Sequence, residues 1–324
     1  MKKCALLFVC GVFVFSAKAQ VSWVNLDSLY QPLPSSFHVY KSTDDIDGKP
    51  NVMYYAIADL KDKSLEFTSD TTTNRRLTPS EYFEKGNNPL LVVNCSFFSF
   101  ATNQNLNVVV KDGKLLSYNQ HTIPGKKTDT LTYVHPFFGA LGISKRGNAD
   151  VAWLYCDSSK RYPYASQTPV HFFKDSLEDI SFRYVKNVIK EEPEVDGRFS
   201  KWKMKTAIGG GPVLLQNGEI KITNDEEKKF AGKAINNPEP RTAIGYTKDN
   251  KLIILVCEGR SKTATGLSLI QEAKILKDLG CIKAVNLDGG GSSCMLINGK
   301  ETNTPSSKGV QRPVPSVFLI KAKR

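Results

Sequence analysis

Glu258-Gly259-Arg260 and, after a helix-length interval, Asn286-Leu287-Asp288-Gly289-Gly290-Gly291-Ser292-Ser293 combine two acids, a guanidinium and a run of glycines. Paired carboxylates can share acid–base or nucleophilic work. A guanidinium fork meets phosphate oxygens with two parallel charged hydrogen bonds, and successive glycines let main-chain N–H groups converge on an anion. Arg241-Thr242-Ala243-Ile244-Gly245 supplies a second guanidinium after a proline-flanked loop, and Gly209-Gly210-Gly211-Pro212 a second glycine run. The competing reading is plain: glycines for tight turns and arginines in ion pairs. Two glycine runs, one abutting an acid at a strand end, favour a site for an anionic ligand. Neither GxGxxG nor GxxxxGK[ST] follows a strand, so nucleotide binding is disfavoured. A serine triad is disfavoured too, because no Gly-x-Ser-x-Gly occurs and His38, His121, His135 and His171 lack a recognisable base context. HExxH is absent, which argues against a zinc hydrolase.

These residues need elements to bring them together. Residues 251–256 (KLIILV) are an apolar run of strand length. Residues 267–279 read as a helix with Leu269, Ala273, Leu276 and Leu279 on one stripe, Thr265 as cap and Gly280 as stop. Residues 282–287 form the next strand. A helical crossover between two strands predicts that they run parallel, with a right-handed connection, and end at one sheet edge, where open α/β sheets bind ligands. Residues 51–58, 65–68 and 90–94 also read as strands. Thr78-Pro79-Ser80-Glu81 opens a short helix that Gly86 stops. Asp112-Gly113, Asn217-Gly218 and Asn298-Gly299 lie between apolar runs and predict three hairpins. The expected class is α+β: a mixed, mostly antiparallel twisted sheet with flanking helices and one βαβ crossover near the C-terminus. Residues 117–205 lack clear periodicity and read as an elaboration of a single domain spanning 20–324, with 20–50 as an N-terminal extension.

Lys2 and Lys3 before the apolar run 5–15, then Ala17-Lys18-Ala19, predict a secretory signal over residues 1–19. The run is too short for a permanent membrane span; Cys10 within it leaves a lipid anchor as the lesser alternative. The expected address is therefore exported, periplasmic or secreted, with no transmembrane segment in the mature chain. The formal charge of +12 falls to +9 without Lys2, Lys3 and Lys18, which favours anionic partners. Nucleic acid is not among them, since no basic helix or stacking motif appears. Cys95, Cys156, Cys257, Cys281 and Cys294 remain after cleavage, without a CxxC pair and with their pairing open. The acidic turn Asp44-Asp45-Ile46-Asp47-Gly48 lacks the length and closing glutamate of a calcium loop and reads as a surface turn.

From about Ala56 onward the chain resembles the phosphodiester glycosidase family. The resemblance rests on Asn94-Cys95-Ser96-Phe97-Phe98, Gly209-Gly210-Gly211-Pro212, Arg241-Thr242-Ala243-Ile244-Gly245 and Asn286 to Ser293, in that order. The chain departs from the family at Glu258, where Asp is frequent, and at Cys95-Ser96, where small residues are. The resemblance implies hydrolysis of a sugar-1-phosphodiester at the anomeric carbon of a phosphorylated glycan. In that reading Asp288 and Glu258 are the acid/base or nucleophile pair, and Arg241 and Arg260 the phosphate clamp. Asn94, Phe97, Phe98, Gly209, Gly210, Gly211, Thr242, Gly289, Gly290, Gly291 and Ser292 surround the substrate. Asn94 would bind a sugar hydroxyl or orient an acid. The resemblance fixes no cofactor; a calcium ion held by acids and backbone carbonyls is one option. The alternatives are a noncatalytic glycan- or anion-binding protein in exopolysaccharide assembly and a metal-dependent phosphodiesterase cutting P–O.

Overall fold

The computed structural model describes residues 20–125, 129–190 and 199–323. The expected signal at 1–19 lies outside them. Strands dominate, in four sheets. The largest has the spatial order Val24–Asn25, Phe37–Ser42, Met53–Asp59, Lys251–Cys257, Arg241–Thr247, Cys281–Asn286, Val213–Gln216, Glu219–Ile220. A seven-stranded sheet is built around Phe138–Ile143, Ala149–Tyr155 and Thr206–Gly209, and a five-stranded sheet around Leu91–Asn94, Ser316–Ala322 and Leu65–Thr71. A three-stranded sheet completes the set.

The expected, mostly antiparallel pairing is found, but the single mixed sheet is corrected to several sheets whose ladders are all antiparallel among the described residues. The reason is local. Arg241–Thr247 pairs antiparallel with both Lys251–Cys257 and Cys281–Asn286, so those two strands run parallel but never hydrogen-bond each other. The helix between them spans Leu269–Asp278 and covers one face of the sheet. Its cap is Ser268 in a capping box with Gln271, not Thr265, whose N–H is already bonded to the Pro50 carbonyl. Gly280 follows at φ +86, the left-handed position that ends a helix.

Side chains alternate across a strand, so a wholly apolar run must be covered on both faces. Ile253, Leu255 and Cys257 pack with Leu269, Ala273 and Leu276 of the helix, whereas Leu252, Ile254 and Val256 face a core shared with Phe137, Leu141, Trp153 and Phe318. All three hairpins form, with Asp112, Asn217, Asn298 and their following glycines at positive φ. Thr78 caps Pro79–Lys85 through a full capping box with Glu81. The stretch 44–48 is a tight turn closed by the Ile46–Lys49 bridge.

Residues 117–205, without an assignable pattern in sequence, hold the two long strands of the seven-stranded sheet. Phe138–Ile143 is buried throughout yet carries two glycines. A Cβ at Gly139 would stand 2.5 Å from Val213 Cγ2, and one at Gly142 would stand 2.5 Å from Met204 Cγ. Strand glycines here mark close packing. The five cysteines Cys95, Cys156, Cys257, Cys281 and Cys294 are free and buried.

Candidate active site

The parallel strands Lys251–Cys257 and Cys281–Asn286 end at the edge where Arg241 begins its own strand. Glu258-Gly259-Arg260 and Leu287-Asp288 therefore leave the sheet side by side. A cavity of about 250 Å³ opens there, lined by Phe97, Phe230, Glu239, Arg241, Arg260, Asp288, the three glycines 289–291 and Arg312 among others.

Asp288 is fixed by the neighbouring five-stranded sheet. Its N–H donates to the Cys95 carbonyl (2.8 Å) and its carbonyl accepts from Asn94 Nδ2 (2.5 Å). The carboxyl lies beside the Ser292 hydroxyl and the Gly289 N–H, with Arg312 and Lys229 as the nearby positive charges. Burial nevertheless pushes it up to about 6, because those donors only partly replace lost water. Asn94 is fully buried, and its Oδ1 accepts from Thr242 Oγ1 and Cys294 N–H, both at 3.1 Å. It orients the acid through the main chain and has no free group for a sugar hydroxyl. Thr242 likewise is wholly internal, bonded to Asn94 and Ser293.

The two expected arginines reach the cavity in different states. Arg241 is 5% exposed, its Nε donating to the Leu267 carbonyl (2.9 Å) and Nη2 to the Asn237 carbonyl (3.0 Å). Arg260 is half-exposed, sits at φ +63 and pairs through Nε with Glu239 Oε2 at 2.6 Å. Left-handed backbone at a non-glycine residue costs about 1 kcal/mol, and here it aims the side chain toward Gly290. A third guanidinium, missed in the sequence, comes from Arg312, whose Nη1 donates to Ser292 Oγ (3.3 Å).

Lys229 was also missed. Its Nζ stands 3.7 Å from the Phe97 ring centre and 4.5 Å from that of Phe138, and donates to Asn107 Oδ1. Burial lowers it to about 7, with Glu227 and Asp288 opposing. In the sequence it sits in Glu226-Glu227-Lys228-Lys229, a run indistinguishable from a solvated charged face.

Several expectations do not survive the geometry. Glu258 is half-buried off the cavity, its Oε1 accepting from the Thr304 N–H (2.8 Å), and burial raises its carboxyl. The second carboxylate in the cavity wall is Glu239, already ion-paired. Phe98 turns away into a core with Val92, Leu296 and Leu319. Gly209, Gly210 and Gly211 present no N–H groups to a ligand, since these donate to the carbonyls of Val108, Gly139 and Asn286. They are glycines because the chains touch: a Cβ at Gly210 would lie 2.2 Å from the Asn286 carbonyl oxygen. At 289–293 the Gly290, Ser292 and Ser293 N–H groups are internally bonded, while that of Gly289 lies beside the Asp288 carboxyl. No group of three or more His, Cys, Asp or Glu side chains able to hold a metal occurs among the described residues. Asp288 is buried beside the Arg312 and Lys229 charges and Glu239 is ion-paired, so this donor set does not fit calcium.

Residues 165–321 match the family model described as phosphodiester glycosidase. N-acetylglucosamine-1-phosphodiester alpha-N-acetylglucosaminidase of Mus musculus is 32% identical over 107 residues, 31% of this chain and 20% of that protein. The segment 165–321, a little under half of the chain, is similar to the phosphodiester glycosidases. The matched segment includes the Gly209, Arg241 and Asp288 motifs, whereas Asn94 to Phe98 precede it. A prophage-derived uncharacterized protein of Bacillus subtilis, YomE, is 37% identical over 86 residues, 26% of this chain and 13% of that protein. These matches thus span about a fifth or less of the curated relatives' length. The fold likeness is broader. The zebrafish N-acetylglucosamine-1-phosphodiester alpha-N-acetylglucosaminidase catalytic domain, auto-inhibited by its pro-peptide, superposes with a TM-score of 0.58 at 21% identity, covering 94% of this chain and 88% of that one.

Proposed function

We propose that the chain hydrolyses a sugar-1-phosphodiester at the anomeric carbon, with Asp288 as the reacting carboxylate. The observation that carries this reading is Asp288, raised to about 6, in a cavity walled by Arg241, Arg260 and Arg312. A departing phosphomonoester is weakly basic (second pKa about 6), so it needs positive charge more than a proton. The exposed Arg260 and the Arg312 fork meet the diester anion, and the buried Arg241 holds fixed positive charge behind them. Asp288 then works on the sugar side, as nucleophile or as base toward water. This division needs no second free carboxylate, in keeping with Glu239 being paired to Arg260. Phe97 and Phe230, packed edge to face at 6.0 Å, offer an apolar wall to a sugar ring. The chain is read as exported through the segment 1–19, acting on phosphate-linked surface or dietary glycans as one domain from residue 20.

The test is reducing-sugar release from synthetic sugar-1-phosphodiesters in ¹⁸O water. Turnover abolished by Asp288→Asn, with label in the sugar, is the expected result. Label in phosphate would establish P–O cleavage instead, and no turnover across a broad panel of sugars would leave only a binding role.

A further inference from the structure

At the far end of the eight-stranded sheet lies a second concavity, of about 450 Å³. Met53–Asp59 connects the two places: Met53 pairs with Cys257 at the active-site edge, and Asp59 pairs with Lys251 at the other. Seven residues of strand put roughly 20 Å between them. Four segments distant in sequence wall the groove, namely 60–67, 143–147, Lys205 and Lys323.

Its charge is lopsided. Lys61, Lys63, Lys145, Arg146, Lys205 and Lys323 line it, against Asp62 and Glu66. Three of the cations are committed to holding the walls. Lys205 pairs with Glu66 at 2.9 Å, Lys323 Nζ donates to the Lys63 carbonyl at 2.9 Å, and Lys61 Nζ bonds Asn148 Oδ1 and the Arg146 carbonyl. Asp62 is occupied by the Ser36 and Ser64 hydroxyls. The exposed heads of Lys63, Lys145 and Arg146 have no acidic partner among the described residues.

Gly147 explains how like charges come to share this space. It stands at φ +70, and a Cβ there would fall 2.2 Å from the Leu60 carbonyl oxygen. Only glycine lets the 144–147 turn press onto the Leu60 carbonyl, which brings Lys145 and Arg146 to the groove that Lys63 also lines. Packing like charges together costs free energy that a bound polyanion would recover.

We propose that this groove is an anion-binding exosite for a chain carrying several phosphates, engaged through Lys63, Lys145 and Arg146. A polymer with repeating negative charge meets three separated cations at once, which a single phosphate cannot do. The assignment is independent of the chemistry proposed for Asp288, because it is read by binding alone.

Isothermal titration with a linear polyphosphate and with inorganic phosphate tests it on the full chain. The unmodified protein should bind polyphosphate far more tightly than phosphate, with affinity falling steeply as salt rises. The triple variant Lys63→Ala, Lys145→Ala, Arg146→Ala should lose at least tenfold in affinity with a thermal midpoint at or above the parent's. Arg260→Ala with Arg312→Ala should keep the tight, salt-sensitive polyphosphate binding that the triple variant loses. Absence of polyphosphate binding, undiminished binding by the triple variant, or loss confined to the Arg260 and Arg312 variant would each overturn the proposal. So would charge-dependent sedimentation with phosphatidylglycerol vesicles in a protein that ignores polyphosphate, which would assign the groove to a membrane surface.

Discussion

Asp288 carries the sharpest consequences at the scale of single residues. Its folded pKa, about 6, stands above its ordinary value of 3.8. The fold therefore favours the neutral acid, and the cost of ionising it appears as pH climbs from about 4 to 6, then stays constant. Asp288→Asn should melt above the parent at pH 8, with the difference vanishing near pH 3.5; melting curves across that range check it. If ionised Asp288 is the working form, kcat/KM on a sugar-1-phosphodiester should fall as pH drops through about 6 in the parent. The place of Asp288 in the cavity wall was legible in the sequence because its neighbours are unusual: an acid followed by three glycines at a strand end has few structural uses. Arg312 and Lys229 were not, since an arginine in a proline-flanked loop and a lysine in a charged run are common on any surface. The Gly209–Gly211 run was misread because sequence cannot say whether glycine N–H groups face a ligand or another strand.

Among the elements, the helix Leu269–Asp278 holds an unexpected group. Glu272 is fully buried, neither carboxyl oxygen has a hydrogen-bond partner, and burial raises it to about 8, opposed by the Arg241 charge. Sequence reading put Leu269, Ala273 and Leu276 on the buried stripe and passed over Glu272, one position before Ala273. Its folded pKa exceeds its ordinary 4.5, so the parent loses stability between about pH 4.5 and 8 and no more beyond. Glu272→Gln, with no charge to bury, should therefore outlast the parent in urea by a margin that widens over that interval and then levels off. A margin that stays the same between pH 5 and 8 would show that Glu272 does not change ionisation over that interval. The hairpins were readable because Asn-Gly and Asp-Gly satisfy a backbone demand that few other pairs meet. Phe138–Ile143 was not, because its two glycines argue against a strand until the side chains of Val213, Trp202 and Met204 are seen filling their place.

Taken whole, the molecule depends on contacts between sheets that no local pattern announces. Glu227 is the clearest. Its carboxylate accepts from Gly139 N–H (3.0 Å) and Trp153 Nε1 (3.2 Å) of the seven-stranded sheet, and from Val213 N–H (2.8 Å) of the eight-stranded one. Thr223 Oγ1 adds a fourth bond at 2.6 Å. Glu227→Gln would point an amide N–H₂ at one of these donors, and chemical denaturation should register a loss of about 1–3 kcal/mol. The order of strands was equally hidden: the crossover predicted a parallel pair, but only the fold places Arg241–Thr247 between its members. Asp288 has a similar dependence, since it leaves a strand of one sheet and is clasped at both main-chain polar atoms by the end of Leu91–Asn94 in another. A chain with all its strands formed but those two layers undocked would have no acid in position. Recovery of turnover after dilution from denaturant should therefore trail the return of far-ultraviolet circular dichroism, leaving a nascent copy inert until its last layers meet.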